Sequence, residues 1–125
     1  YLGDDGYLRV TAAARTACEQ LVAAIRATPE LLLRAEPDST LVAFSAAAPE
    51  SLDAFAVADA LWRRGWYIDR QGPPASLHCT VNAVHEGKID EFVAAYDWAG
   101  TALQFDDLDK RTRYELRLAP RQPAR

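Results

Sequence analysis

The chain has 125 residues, half of them hydrophobic, enough to bury one core and too few for two ordinary domains. Its net charge of −4 and isoelectric point near 5.1 argue against a nucleic-acid partner, since non-specific affinity for phosphate backbones rests on clustered Lys and Arg. No apolar run approaches the ~20 residues needed to cross a bilayer, and no basic-then-apolar leader precedes the first helical segment, so no membrane span is expected here.

The first element follows "YLGDDG". Val10, Ala14, Cys18, Leu21, Val22 and Ile25 recur at helical spacing in a segment rich in Ala, Arg and Glu, which predicts a helix over about residues 7–27. Pro29 disfavours helical geometry at Thr28 and stops it. Leu31 to Ala35 and Thr40 to Ser45 are apolar stretches either side of Pro37-Asp38-Ser39, a turn cluster, and together they predict a hairpin.

"PESLDAFAVADALWRRG" comes next, with Leu52, Phe55, Ala58, Leu61 and Trp62 on one helical face. Ser51 is the expected capping residue, Arg63 and Arg64 are cations for the last turn, and Gly65 stands where a left-handed C-cap belongs. "WYID" and "SLHCTVNAV" then read as strands, separated by "RQGPP", whose Gly72, Pro73 and Pro74 oppose ladder pairing and stiffen the connection. Ile89, Phe92, Val93 and Tyr96 repeat as i, i+3, i+4, i+7 and predict a last helix ending near Gly100.

The order helix, two strands, helix, two strands, helix predicts an α+β fold, a small antiparallel sheet with helices packed on one face, over residues 1–100. Residues 101–125 form a tail in which "RTRYELRL" alternates like an extra edge strand before "APRQPAR", a disordered end.

Alternation along the fourth strand places Leu77, Cys79, Val81 and Ala83 towards the helices and His78, Thr80 and Asn82 on the opposite face. That polar row is either an ordinary solvated sheet face or a surface turned towards a site or another domain. His85, in the turn before the last helix, is read as a loop histidine with no catalytic role, and Trp62 and Trp66 as core or interface aromatics. His78 and His85 do not have metal-ligand spacing, and no further His or Cys completes a metal site.

Cys18 and Cys79 fall on apolar faces without a CxxC motif, as small buried hydrophobes. Cysteines this sparse give no disulfide framework, so a reducing compartment, the cytoplasm, is the expected location. There is no glycine-rich phosphate loop, no GxSxG elbow and no carboxylate pair spaced for acid–base work; "DDLD" at 106–109 reads as a solvated turn. No catalytic residue, cofactor ligand or metal ligand is assigned from pattern.

"GDDGYLRVTAAARTA", "EPDSTLVAFSA" and "DALWRRGWYIDRQGPPASLHCTVNAVH", in that order and spacing, resemble the C-terminal part of sphingosine-1-phosphate lyases, in the pyridoxal-phosphate-dependent group II decarboxylase family. The shared elements are a GxxGY helix start, an xPxxS turn before a strand, a helix ending in RGW, a Gln, a Pro-Pro turn and a histidine-bearing strand. The likeness runs over roughly residues 3 to 98 and leaves the tail unexplained.

It implies the small C-terminal domain of a fold-type I enzyme, packed against the large pyridoxal-phosphate-binding domain of the same chain and closing over its active site. It further implies a homodimer, a small-molecule substrate, and a Schiff-base lysine upstream of Tyr1. Lys88 and Lys110, the lysines present, match no such motif, so the segment alone should be inactive.

In related amino-acid decarboxylases an arginine often stands near position 78 and pairs with the substrate carboxylate through its bidentate fork. His78 here, as in the lyases, favours cleavage of a carbon–carbon bond in a phosphorylated sphingoid base or similar amino alcohol phosphate. His78, Gln71 and Tyr67 are the candidates for facing the substrate entrance, with Pro73 and Pro74 holding the loop still. Two alternatives stay open: an amino-acid decarboxylase small domain, and a free-standing, non-catalytic interaction module that docks through its His/Thr/Asn face.

Overall fold

The computed structural model describes residues 1–104, with side chains described through residue 97. The expected edge strand and disordered end of the tail lie outside the described residues. Elements follow the order α1 (Gly3–Arg26), β1 (Leu31–Leu33), β2 (Leu41–Ala46), α2 (Ala54–Arg63), β3 (Asp69–Gln71), β4 (Ser76–Thr80), a 3-10 turn (Ala83–His85) and α3 (Ile89–Gln104). The four strands make one antiparallel sheet in the order β1-β2-β4-β3, the predicted α+β arrangement.

Register sorts the side chains. Leu33 opposes Phe44, Phe44 opposes Leu77 and Val42 opposes Cys79, so these residues share the face that meets the helices. They pack with Leu21 and Ile25 of α1, Val57 and Leu61 of α2 and Phe92 of α3 in one core. On the other face Leu32 and Leu41 are about half exposed, and Thr80, Asp69 and Gln71 are exposed.

α1 starts four residues earlier than the apolar spacing indicates. Asp4 and Asp5 occupy its first turn, where carboxylates favour the helix dipole. It ends as expected before Pro29, and Thr28 Oγ1 donates to the Ala24 carbonyl at 2.9 Å, satisfying one of the last carbonyls. Val10, expected in the core stripe, is exposed, because the first turns of α1 run past the edge of the domain.

α2 is capped by Asp53 rather than Ser51. The Asp53 carboxylate accepts from the Phe55 and Ala56 amides at 2.9 and 3.2 Å, and Ser51 lies in the preceding turn. At the other end Gly65 has φ +87°, its amide reaches the Trp62 carbonyl, and the Trp66 amide reaches the Leu61 carbonyl. This is a Schellman closure, which needs a left-handed residue at Gly65. The buried face of α2 is Ala54, Val57, Ala58 and Leu61; Trp62, expected on it, is half exposed.

The last strands are shorter than expected. β3 begins at Asp69, so Trp66 to Ile68 form a lead-in, while Arg70 and Gln71 pair with Leu77 and Ser76. β4 ends at Thr80: the Val81 amide donates to the Thr40 carbonyl, and the backbone then turns through Asn82 into the 3-10 turn. Asn82 and Ala83 are therefore not part of the sheet alternation.

α3 continues past Gly100 to Gln104, since a glycine inside a helix costs only about 1 kcal/mol against alanine. Among the described residues, no helix is long and apolar enough to cross a membrane.

Candidate functional site

The exit of β4, the lead-in to β3 and the start of α3 enclose an open groove of about 660 Å³. Its lining includes Tyr67, Asp69, His78, Thr80, His85 and Lys88, together with Arg64, Trp66 and Glu91. Both histidines of the chain are here and both are half-buried. The groove depends on the Schellman closure after α2, which turns the chain sharply, and on the 3-10 turn, which swings His85 back towards the strand carrying His78.

His78 is flanked in register by Ala43 of β2 and Asp69 of β3, on the sheet face away from the helices. Its Nε2 lies 3.2 Å from Ser76 Oγ on the same strand face, a polar contact that orients the ring. Asp69 in turn accepts from the Tyr67 hydroxyl at 2.7 Å. This hydrogen bond, and then the Asp69 charge, hold the Tyr67 phenol above its ordinary value. Tyr67 is further located by an edge-on contact with Trp62, the ring centroids 5.5 Å apart.

His85 Nδ1 accepts the Asn82 backbone N–H at 3.0 Å. In the neutral ring that bond assigns the proton to Nε2, leaving a donor for whatever occupies the groove. Beneath the groove is a small apolar hollow of about 60 Å³ lined by Trp66, Ile68, Cys79, His85 and Phe92, among others. Burial, and secondarily the Asp69 charge, push the Cys79 thiol up to about 12, so it remains protonated there. Trp66 is fixed edge-on to Phe92 at 5.3 Å, which makes the groove floor part of the core.

Of the three sequence candidates, the structure brings Tyr67 and His78 into one groove and leaves Gln71 out. Gln71 is at the far end of β3 beside Ser76, exposed, and does not line the groove. Sequence reasoning missed Asp69, His85 and Lys88 as groove residues; Thr80, which alternation puts beside His78 on the polar strand face, does line the groove. The readable signal for His85 was Asn82 three residues before it, an N-cap type followed by a side chain able to reach back.

A wider depression between α1 and residues 36–40 is bordered by Arg15, Glu19, Arg26 and Glu36. There Arg15 pairs with Glu19 and Arg26 with Glu36, so its charged rim is already engaged. The histidine groove is the stronger candidate.

Among the described residues, no group of His, Cys, Asp and Glu is arranged to hold a metal ion. Lys88, the described lysine, is exposed at the groove rim, in the turn before α3. Nothing around it supplies the enclosed pocket that a Schiff-base lysine requires. The described residues therefore do not fit a pyridoxal phosphate site of their own.

No family model matches the chain. The sphingosine-1-phosphate lyase of Arabidopsis thaliana is 34% identical over 92 residues, covering 74% of this chain and 16% of that protein. The sphingosine-1-phosphate lyase of Oryza sativa subsp. japonica is 32% identical over the same shares. Among solved structures, the sphingosine-1-phosphate lyase of Burkholderia pseudomallei matches with a TM-score of 0.74 at 26% identity, over 93% of this chain and 25% of that one. The chain spans about a sixth of the length of these curated relatives.

Proposed function

The chain is a homologue of the sphingosine-1-phosphate lyases, and on that premise we propose that it is the small C-terminal domain of a pyridoxal-phosphate-dependent carbon–carbon lyase. The observation that carries this reading is the identity of 34% with a plant lyase, joined to a fold match over nearly the whole chain. The substrate class is a phosphorylated sphingoid base or a similar amino alcohol phosphate. The cofactor, held by a larger domain of a longer polypeptide, supplies the electron sink for bond cleavage. This segment supplies none of the reacting groups and is inactive alone. The parent is a cytoplasmic homodimer.

In this reading the histidine groove borders the substrate entrance. His78, oriented by Ser76, and His85, with its Nε2 proton, offer hydrogen bonds to a polar headgroup, and Tyr67 with Asp69 continues the lining on the strand next to His78. A histidine at position 78 leaves no fixed guanidinium fork waiting for a carboxylate, which favours an amino alcohol phosphate over an amino acid.

The test is the visible absorption of the longer gene product before and after borohydride. A cofactor band that bleaches, with cofactor mass retained on a lysine peptide preceding Tyr1, is the expected result. A product without that band overturns the reading. In the same protein His78→Ala is expected to raise KM for the amino alcohol phosphate about tenfold, the loss of one hydrogen bond to a charged group. The cofactor band should be unchanged; unaltered kinetics would remove His78 from the entrance.

A further inference from the structure

Donors and acceptors are unevenly divided in the histidine groove. Ser76, on the same strand face as His78, is 7% exposed, one of two buried polar side chains among the described residues. A buried hydroxyl must place its proton on an acceptor, and the acceptor within reach of Ser76 Oγ is His78 Nε2, at 3.2 Å. If Nε2 carried the ring proton instead, the Ser76 O–H would be left buried and unpaired. Ser76 therefore donates, and the neutral His78 ring carries its proton on Nδ1. The His85 ring is set the opposite way: its Nδ1 accepts the Asn82 amide at 3.0 Å, and its proton is on Nε2.

We propose that the histidine groove is an oxyanion site, and that Ser76 and the Asn82 amide make it one by leaving each histidine with an N–H donor and no acceptor for a ligand. The oxyanion is a phosphate group. The inference deepens the reading proposed above, on which the identification of that phosphate as one end of the substrate rests.

The choice of ligand follows from the rest of the lining. It includes the Lys88 ammonium and the Arg64 guanidinium, which donate and do not accept. Of the acceptors, Asp69 is engaged by the Tyr67 hydroxyl at 2.7 Å, and Glu91 is in the first turn of α3, close in sequence to Lys88. The two cations and two carboxylates cancel in formal charge, so the groove selects by hydrogen bonding rather than by net field. An ammonium ligand would set its own donors against the histidine N–H groups. The donors come from β4, the 3-10 turn, the turn before α3 and the C-terminal end of α2, separate elements rather than one planar fork. A carboxylate is flat and suits a fork, whereas a phosphate monoester turns three strong acceptor oxygens in different directions.

Calorimetric titration of the longer gene product with inorganic phosphate tests the inference. His78→Phe and His85→Phe keep a ring and remove the donor; each should weaken phosphate binding about tenfold, the loss of one hydrogen bond to a charged group. Ser76→Ala frees the His78 ring and should weaken binding about threefold, the cost of ordering one side chain on binding. Ser76→Thr keeps the hydroxyl and should restore the affinity, a rescue that a merely space-filling side chain would not show. Unchanged affinity in both histidine variants overturns the oxyanion site. Loss in those variants with none in Ser76→Ala overturns the positioning role of Ser76. Ethanolamine is the counter-probe: affinity for it that falls in the same histidine variants overturns the donor assignment. Ethanolamine phosphate that displaces inorganic phosphate, with the same pattern across the variants, identifies the phosphate end of the substrate as the occupant. Failure to displace it overturns that identification and sustains a site for free phosphate. The same pattern in a product without the cofactor band sustains the oxyanion site and overturns the lyase reading alone.

Discussion

At the scale of single residues, the side chains that hold the backbone are separable from those that line the groove. Asp53 satisfies two amides at the start of α2, while Ser51, a conventional capping type, is two residues too early. Asp53→Ala should therefore cost about 1 kcal/mol in urea unfolding and Ser51→Ala only a few tenths, a contrast that reverses if the cap has been misassigned. Both residues are good caps by type, and what selects between them is where the apolar face of α2 meets the sheet. The groove was half legible for the same reason. His78 and Tyr67 could be read from alternation and from the aromatic lead-in. Gln71 could not be excluded without knowing that β3 begins at Asp69, which carries Gln71 two positions on to the β3–β4 turn. His85 became a groove residue only through the 3-10 turn, whose short hydrogen-bonded loop leaves no period in the sequence.

At the scale of elements, periodicity read the three helices and the β1–β2 hairpin, because each has one face in the core. Their ends were less legible: the overhang of α1 has the spacing of a buried helix, and spacing does not state how far the covering layer reaches. The sheet makes the face assignment quantitative. Phe44 of β2 is 1% exposed between Leu33 and Leu77, whereas Leu32, one residue from Leu33 on the neighbouring strand, is 48% exposed on the other face. Phe44→Ala is expected to destabilise the fold by about 3–5 kcal/mol, through lost transfer energy and the cavity left behind. Leu32→Ala should stay within about 0.5 kcal/mol in the same denaturant titration, as an exposed side chain does. Comparable losses at the two positions would mean that the sheet faces are inverted, or that Leu32 is covered in solution by a surface absent from this domain.

For the whole molecule, stability is linked to pH through groups whose ionised forms the core rejects. Burial, then the Asp69 charge, raises the Cys79 thiol from an ordinary 9.0 to about 12. Burial, then the charges of Glu30 and Asp97, raises the Tyr96 phenol from 10.0 to about 12. Both groups are neutral when protonated, so the folded state holds their protons to higher pH than the unfolded chain does. Their contribution is fully present below about pH 9 and is lost as pH rises towards 12, since the unfolded state releases protons that the folded state retains. The exposed ion pair Arg15–Glu19 offers little to oppose this, being screened and worth a fraction of a kcal/mol. Urea midpoints should therefore be flat from neutral pH to about 9 and fall steadily above it. Cys79→Ala should reduce the earlier part of that fall, which Cys18, raised by burial and then by the Glu19 charge, shares, and Tyr96→Phe should reduce the part beginning about one pH unit higher. A midpoint that fell equally in both variants and the parent would assign the alkaline transition to groups outside this core.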